Sequence, residues 1–234
     1  MIYTKKMPIF YPNDYHKISE PPLTDKCIVL DLDQTLIATQ DEISDLINLK
    51  VLSNPKHLKL RNRIYHLEIG ELDEIGDGEV FEFWGILRPH IYEFLLFCFK
   101  YFKMVIVWSA GQRYYVEAIV DFIFKDFRHP HVLYTFEDIE YDSSDDIIKP
   151  IEKMISDNPG MSFENTFCFD DNHLTFSKNH GSGILCPPYE PDLSIEGIKA
   201  EDETLLILMD WLSSEEVMKC EDVSALEKHK IFYE

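Results

Sequence analysis

Two aspartates stand two residues apart at the end of an apolar run. Residues 27–30 are all apolar or β-branched and predict a buried strand, and Asp31 and Asp33 follow that strand directly. Two anions this close repel each other unless one carries a proton or a cation lies between them. The spacing therefore indicates a site for a hard, oxygen-preferring ion such as Mg²⁺. The alternative is a polar turn after an ordinary strand.

Two further apolar runs end in polar side chains. Residues 104–108 predict a second buried strand that ends at Ser109, and residues 166–169 predict a third that ends at Asp170 and Asp171. Right-handed crossovers bring the carboxyl ends of parallel strands to one edge of a sheet, which is where ligands bind in open α/β folds. We therefore expect these polar groups to meet the first aspartate pair at a single site.

Basic residues near these strand ends offer compensating charge. Lys149 lies ahead of the third strand and offsets the carboxylates, with Lys153 as a rival for the same role. Arg88 is expected to order a loop through an ion pair rather than to contact a substrate.

Helical patterns separate the predicted strands. Helices are expected from Pro89 as a first helical residue, over 112–125, from Pro150 to an end at residue 158, over 202–212, and in a charged tail after residue 213. A fourth short strand is expected at 184–186. Strands that alternate with helices indicate an α/β fold built on a parallel sheet.

A hairpin is inserted after the first strand. Residues 63–69 and 80–87 alternate apolar and polar side chains around an acidic turn at 70–79, which is typical of a β-hairpin and predicts a flap. No role can be assigned to residues 40–62. The prolines of residues 1–22 predict an irregular lead-in, and residues 23–234 are expected to form one domain with the flap insertion at about 40–87.

Composition excludes several classes of protein. The 234 residues carry a formal charge of −21, which repels phosphates and argues against direct nucleic-acid binding. The five cysteines form no Cys-x-x-Cys pair and indicate buried thiols in a reducing compartment. No apolar run is long enough to span a bilayer, so we expect a soluble, intracellular protein of the nucleus or cytoplasm that does not contact membranes.

Four runs form a combined pattern: Asp31-Leu-Asp-Gln-Thr-Leu36, Arg88-Pro-His-Ile-Tyr-Glu-Phe-Leu95, Ser109-Ala-Gly-Gln-Arg-Tyr-Tyr-Val116, and Asp170-Asp171 with Phe176. This pattern resembles the haloacid dehalogenase superfamily and, within it, the phosphatases that act on the C-terminal repeat domain of RNA polymerase II. The similarity extends from about residue 23 to about 228. It implies a Rossmann-like parallel sheet flanked by helices. Gln34, His90 and Gly111 depart from the family's usual Glu, Gly and Ser.

The resemblance also assigns chemical roles to the acidic residues. It implies that Asp31 attacks phosphorus to form an aspartyl-phosphate, and that Asp33 protonates the leaving alcohol and then activates water. Mg²⁺ would be held by the carboxylates of Asp31 and Asp171 and by the main-chain carbonyl of Asp33, with Asp170 in support.

The resemblance places four residues around the phosphate, which share hydrogen-bond donors or positive charge: Thr35, Ser109, Ala110 and Lys149. Ser109 can equally cap the helix predicted over 112–125. The two roles are compatible, because helix N-termini bind anions.

These expectations combine into one functional hypothesis with two alternatives. The hypothesis is a Mg²⁺-dependent phosphatase of phosphoserine or phosphothreonine in proteins, with the RNA polymerase II tail as the substrate that the family implies. One alternative is a phosphatase of nucleic-acid ends or small metabolites. The other is a binding module that kept the fold without catalysis, against which the intact Asp31 and Asp33 speak.

Overall fold

A six-stranded sheet, a three-stranded sheet, a two-stranded sheet (Glu140–Tyr141 with Ile147–Ile148) and flanking helices make up the computed structural model of the chain, which describes residues 8–10, 21–72, 78–125, 128–179 and 181–233. The strands are β1 (Ile9–Phe10), β2 (Cys27–Leu30), β3 (Ile37–Gln40), β4 (Ile64–Leu72), β5 (Gly78–Leu87), β6 (Met104–Trp108), β7 (Val132–Tyr134), β8 (Glu140–Tyr141), β9 (Ile147–Ile148), β10 (Thr166–Asp170) and β11 (Gly183–Leu185). The α-helices are α1 (Ile43–Leu49), α2 (Ile91–Tyr101), α3 (Arg113–Phe124), α4 (Ile151–Asp157), α5 (Ile195–Lys199), α6 (Thr204–Leu212) and α7 (Glu215–Lys219).

The larger sheet has the order β1-β7-β6-β2-β10-β11. Its last five strands run parallel, and β1 pairs antiparallel with β7 at the edge. The predicted α/β fold with a parallel sheet is confirmed. This order puts β2 between β6 and β10, so the three strands that end in polar residues are immediate neighbours.

Helices cover both faces of this sheet. Side chains alternate between the two faces along a strand, and both faces are buried, which explains why the strands read as continuous apolar runs. One face packs against α2, α3 and α6 through residues that include Ile28, Leu30 and Val107. The other face packs against α4 through Val29 and Trp108, among others.

The predicted hairpin belongs to a three-stranded sheet with the order β3-β5-β4. β4 and β5 pair from Ile64 with Ile86 to Leu72 with Gly78, which confirms the hairpin, while residues 73–77 of the predicted turn lie outside the described residues. β3 follows the first aspartate loop directly and pairs with β5, from Ile37 with Leu87 to Gln40 with Trp84. The flap is therefore joined to the aspartate loop by hydrogen-bonded backbone.

The segment between β3 and β4, which has no recognisable pattern in the sequence, covers the outer side of the flap sheet. It contains α1 and a 3₁₀ segment at Pro55–Arg63. Its Leu46 and Val51 pack in one cluster with Trp84 of β5, whose indole Nε1 donates to the Glu42 carbonyl at 3.0 Å. The insertion thus gives the flap a core of its own.

Several boundaries differ from the sequence predictions. The helix expected from Pro89 begins at Ile91, because His90 takes a left-handed conformation (φ 65°) that interrupts it. β7 was missed, and β1 lies within the residues predicted to be an irregular lead-in; both are too short to show a clear periodicity. The expected helical tail is α7 followed by a single 3₁₀ turn at Val223–Ala225.

Among the described helices, none combines the length and the apolar character that crossing a bilayer requires.

Candidate active site

Three carboxylates meet at the carboxyl edge of the larger sheet. Asp31 directly follows β2, Asp170 ends β10, and Asp171 comes next in the chain. β2 and β10 pair in parallel, and the Asp31 amide donates to the Phe169 carbonyl at 3.0 Å. As a result, one carboxylate oxygen from each of the three aspartates lies within 4.8 Å of the others. The structure thus brings together three of the four aspartates that the sequence predicted to meet.

Lys149 joins two of these carboxylates. Its Nζ donates to Asp31 Oδ1 and to Asp170 Oδ2, both at 2.7 Å, and the side chain is buried. The backbone of Lys149 is fixed by its amide, which donates to the Thr175 carbonyl at 2.6 Å. Lys153, the rival in the sequence, pairs instead with Asp138 at 3.1 Å. The structure thus brings Lys149, not Lys153, to the carboxylates.

Burial and charge set the protonation of this cluster. Burial raises the pKa of the Asp31 carboxyl to about 8, the charge of Lys149 opposes that rise, and neighbouring Asp170 adds to it. Burial alone would lower the pKa of Lys149, but the carboxylates of Asp170 and Asp31 raise it above its usual range, so the ammonium stays charged. One ammonium against three carboxyl groups leaves an excess of negative charge.

The donor set fits a hard divalent cation. Asp31, Asp170 and Asp171 offer carboxylate oxygens, which Mg²⁺ and similar ions prefer, close enough together to share one ion. Both oxygens of Asp170 are already used, by Lys149 at 2.7 Å and by the Asn172 amide at 2.9 Å. Asp31 and Asp171 are therefore the freer ligands, and Asp170 is the supporting one.

Thr35 contacts Asp171 from the first loop. Its buried hydroxyl donates to Asp171 Oδ1 at 3.2 Å and accepts from the Asp171 amide at 3.1 Å. The hydroxyl expected to bind phosphate thus orients a candidate metal ligand, a contact that the sequence did not reveal.

Ser109 and Ala110 reach the same edge on the opposite side of β2. They follow β6, which pairs with β2 through Val107 and Leu30. The Ser109 side chain is buried, and its Oγ accepts from the Gly111 amide at 3.0 Å. α3 begins with Gln112 as its capping residue, so the Ser109 hydroxyl does not cap that helix.

Asp33 lies apart from the carboxylate cluster and has neutral partners. Its Oδ1 accepts from the hydroxyls of Tyr115 at 2.6 Å and Thr39 at 2.7 Å. Burial raises the pKa of Asp33, although the two hydroxyl donors oppose the rise. A carboxyl group whose pKa is raised in this way is suited to act as an acid.

The hydroxyl partners of Asp33 were missed in the sequence. Tyr115 lies within the run 109–116 that carries the family resemblance, and that membership is the signal that could have found it. Thr39 has no local signal, because it reaches Asp33 only through the path of β3.

An open groove of about 400 Å³ runs from Asp33 between the flap and the start of α3. The flap contributes Thr39 and Phe83 to its walls, and the helix contributes Tyr114 and Tyr115. Aromatic contacts join the two sides, since the Phe83 and Tyr115 ring centroids lie 5.4 Å apart. An extended substrate could lie in this groove with its reacting group near Asp33.

Arg88 orders the loops behind the site, as expected from the sequence. It is buried, and its guanidinium binds both carboxylate oxygens of Asp202 at 3.0 Å. It also donates to the Thr35 carbonyl at 2.9 Å. Arg88 thereby ties the first aspartate loop to the segment that leads into α6.

Solved structures with a similar fold include RNA polymerase II C-terminal-domain (CTD) phosphatases. The structure of Fcp1, an essential RNA polymerase II CTD phosphatase, gives a TM-score of 0.55 at 15% identity, over 82% of this chain and 51% of that chain. A variant of the fission yeast CTD phosphatase Fcp1 bound to beryllium fluoride gives 0.54 at 16% identity, over 82% and 53%. The chain thus spans about half the length of these structures. At these identities the likeness shows the fold alone, a parallel sheet flanked by helices.

A comparison with curated proteins finds no match. The sequence profile of the NLI interacting factor-like phosphatases, in contrast, matches residues 26–224, which include every acidic and basic residue of the site. This match confirms the resemblance that the motifs indicated. The chain belongs to the NLI interacting factor-like phosphatase family.

Proposed function

We propose that the protein is a Mg²⁺-dependent phosphatase of phosphoserine and phosphothreonine in proteins that works through an aspartyl-phosphate on Asp31. One observation carries this proposal: Asp31 is held by Lys149 beside two further carboxylates, while Asp33, two residues on, accepts hydrogen bonds from two hydroxyls. The ammonium of Lys149 favours the ionised form of Asp31, a bound cation would favour it further, and Asp33 can carry the proton that the leaving group needs.

Each residue of the site has a part in the first step. A carboxylate oxygen of Asp31 bonds to phosphorus, and the bond from phosphorus to the leaving oxygen breaks with its electron pair on that oxygen. Asp33 gives its proton to the same oxygen, so the product leaves as an alcohol. Lys149 and Ser109 supply positive charge and a hydroxyl donor for the non-bridging oxygens, and the Asp31 carboxylate is kept in place by Lys149.

The second step returns the site to its starting state. The Asp33 carboxylate, now ionised, takes a proton from a water molecule that attacks the aspartyl-phosphate, which releases inorganic phosphate and restores the Asp31 carboxylate. Asp31, Asp171 and the main-chain carbonyl of Asp33 would hold the cation, with Asp170 in support. When bound, the cation supplies the positive charge that lets two anions approach each other.

The shape of the site supports a protein substrate. The groove beside Asp33 is open and runs along the flap, which suits an extended peptide better than a small metabolite. The formal charge of −21 disfavours nucleic acids as the alternative. The family points to the CTD of RNA polymerase II as the substrate. We place the protein in the nucleus or cytoplasm, and its five free cysteines support such a reducing compartment. We also propose that the chain forms one domain from about residue 23.

Hydrolysis of p-nitrophenyl phosphate tests the mechanism. Purified protein with Mg²⁺ should turn over this substrate, and removal of the ion with EDTA should stop turnover reversibly. Asp31→Asn should lower kcat at least about 10³-fold because the nucleophile is lost. Asp210→Asn, an exposed aspartate in α6, is the matched control and should retain full activity. An Asp31→Asn protein as active as the wild type would refute the mechanism.

A panel of substrates tests the specificity. Phosphopeptides that carry the polymerase heptad should give a higher kcat/KM than 3′-phosphorylated oligonucleotides or sugar phosphates. The opposite ranking would keep the chemistry and overturn the assignment to protein substrates.

A further inference from the structure

Two hydroxyl groups from different elements converge on one oxygen of Asp33. Tyr115, in the first turn of α3, and Thr39, near the end of β3, both donate to Oδ1, at 2.6 and 2.7 Å. Asp33 Oδ2 makes no hydrogen bond within the part of the chain that the structure describes. The two oxygens of this carboxyl group are therefore held in different environments.

A third hydroxyl completes the arrangement. The Tyr65 hydroxyl lies 2.6 Å from Thr39 Oγ1, which is also 2.5 Å from the Tyr115 hydroxyl. When Thr39 and Tyr115 both donate to Asp33, the Tyr65 hydroxyl donates to Thr39, and every hydroxyl proton has one acceptor. Oδ1 then accepts two hydrogen bonds, which occupy both of its lone pairs. A proton bound to Asp33 consequently lies on Oδ2.

A glycine in the middle of the flap sheet makes this contact possible. Gly85 of β5 pairs with Thr39 on one side and with Tyr65 on the other. A Cβ atom at Gly85 would lie 2.3 Å from the Tyr65 hydroxyl oxygen and 2.6 Å from the Ala38 carbonyl oxygen. Glycine is usually disfavoured within a strand, because it loses more conformational freedom on folding than alanine does. Here it lets the Tyr65 ring cross β5 and reach Thr39.

We propose that Thr39 and Tyr115, with Tyr65 behind them, are positioning residues that direct the acid proton of Asp33 onto Oδ2, toward the leaving-group oxygen. This inference rests on the proposed function and deepens it. The proton moves from Oδ2 to the leaving oxygen as the bond to phosphorus breaks, and the two hydroxyls stay on Oδ1 throughout. Asp33 lines the open groove together with Thr39 and Tyr115, so a leaving group that lies in the groove is next to this carboxyl group.

The choice of leaving group separates this role from a purely structural one. An alkoxide that leaves from phosphoserine needs a proton in the transition state, whereas p-nitrophenolate is a stable anion that needs little help. Loss of the two donors to Oδ1 should therefore lower kcat for a phosphoserine peptide by roughly 10- to 100-fold. KM for the peptide should stay within about threefold, and kcat for p-nitrophenyl phosphate should fall less than kcat for the peptide, because only the shared hydrolysis of the aspartyl-phosphate then depends on Asp33.

Three variants carry the test. Thr39→Val and Tyr115→Phe each remove one donor to Oδ1. Thr39→Ser keeps the hydroxyl, so its ratio of kcat for the phosphoserine peptide to kcat for p-nitrophenyl phosphate should equal that of the wild type. Tyr101→Phe is the matched control: it removes another buried tyrosine hydroxyl, one that donates to the Leu212 carbonyl at 2.6 Å, and should leave the ratio unchanged. Thermal unfolding of each protein checks that it is folded.

Tyr65→Phe provides a second, milder route. It removes only the hydroxyl behind Thr39 while Thr39 and Tyr115 keep theirs, and it should shift the ratio of the two kcat values in the same direction by a smaller factor. An equal fall for both substrates, or no fall for either, would overturn the inference. A wild-type protein that hydrolyses neither substrate would instead overturn the proposed function, and this inference with it.

Discussion

At the scale of single residues, the position of Lys149 decides the chemistry of the site. Its ammonium group bridges Asp31 and Asp170, and without it two buried carboxylates would face each other unpaired. The sequence could not choose between Lys149 and Lys153, because both lie far from Asp170 in the chain and only the fold brings one of them back. The three aspartates were predictable, since each follows a strand that is itself easy to recognise.

The two lysines make a matched pair for experiment. Lys149→Met and Lys153→Met each remove a buried or nearly buried ion pair, and each should lower the free energy of unfolding by about 3 kcal/mol. Only Lys149→Met should lower phosphatase kcat, by at least about 10²-fold, because it alone removes charge from the carboxylates. Urea denaturation and steady-state kinetics measure the two effects. Equal losses of activity in both variants would remove Lys149 from its proposed role.

At the scale of elements, strand register brings together side chains whose contacts cannot be predicted from the local sequence. The central strands were predictable because a continuous apolar run that ends in polar residues is typical of a buried strand in a parallel sheet. The contact of Thr39 with Tyr65 across Gly85 was not, because it depends on the register of three strands that lie far apart in the sequence. The structure of the segment between β3 and β4 could not be predicted either, since its 3₁₀ segment has no clear periodicity.

The start of α2 shows how one backbone conformation shapes an element. His90 precedes the helix with φ 65°, a left-handed conformation that costs a side-chain-bearing residue about 1 kcal/mol. The family's usual glycine at this position has no such cost. His90→Gly should therefore be more stable than His90→Ala by about 1 kcal/mol in urea denaturation at pH 7. Equal stabilities of the two variants would show that the backbone there is not strained.

At the scale of the whole molecule, Arg88 connects parts of the chain that lie far apart. It follows β5 of the flap sheet and reaches the first aspartate loop at Thr35, the Pro187 carbonyl, and the residues Asp202 and Thr204 at the start of α6. Partial burial opposes ionisation of Asp202, but the hydrogen bonds and charge of Arg88 outweigh it and lower the pKa of that carboxyl. The buried Arg88 guanidinium thus joins the flap, the first aspartate loop and the start of α6.

The pH dependence of stability tests this connection. Asp202→Asn should lower the free energy of unfolding by about 2 kcal/mol at pH 7, since Arg88 loses its countercharge but keeps four other acceptors. Because the folded-state pKa of Asp202 lies below its unfolded value, the contribution is complete above about pH 5 and is lost as pH falls below about pH 4.

Urea denaturation at pH 7, 5 and 3 measures the difference in free energy of unfolding between the wild type and Asp202→Asn. Asp210→Asn, which alters an exposed aspartate, should show little difference from wild type at any of these values. If Asp202→Asn were destabilised at pH 3 by as much as at pH 7, the stabilisation by Asp202 would not be ionic.

The two residues of β1 cover an edge of the parallel sheet at which another molecule of the protein can add a strand. β7 would be the outermost strand of the parallel sheet if Ile9 and Phe10 did not pair with it. An uncovered strand presents a row of unpaired amides and carbonyls on which a strand of another molecule can add. The family match begins only at residue 26, so a shortened protein cut to that match would lose this cover. Such a shortened form would retain every residue of the site and gain a tendency to self-associate and aggregate.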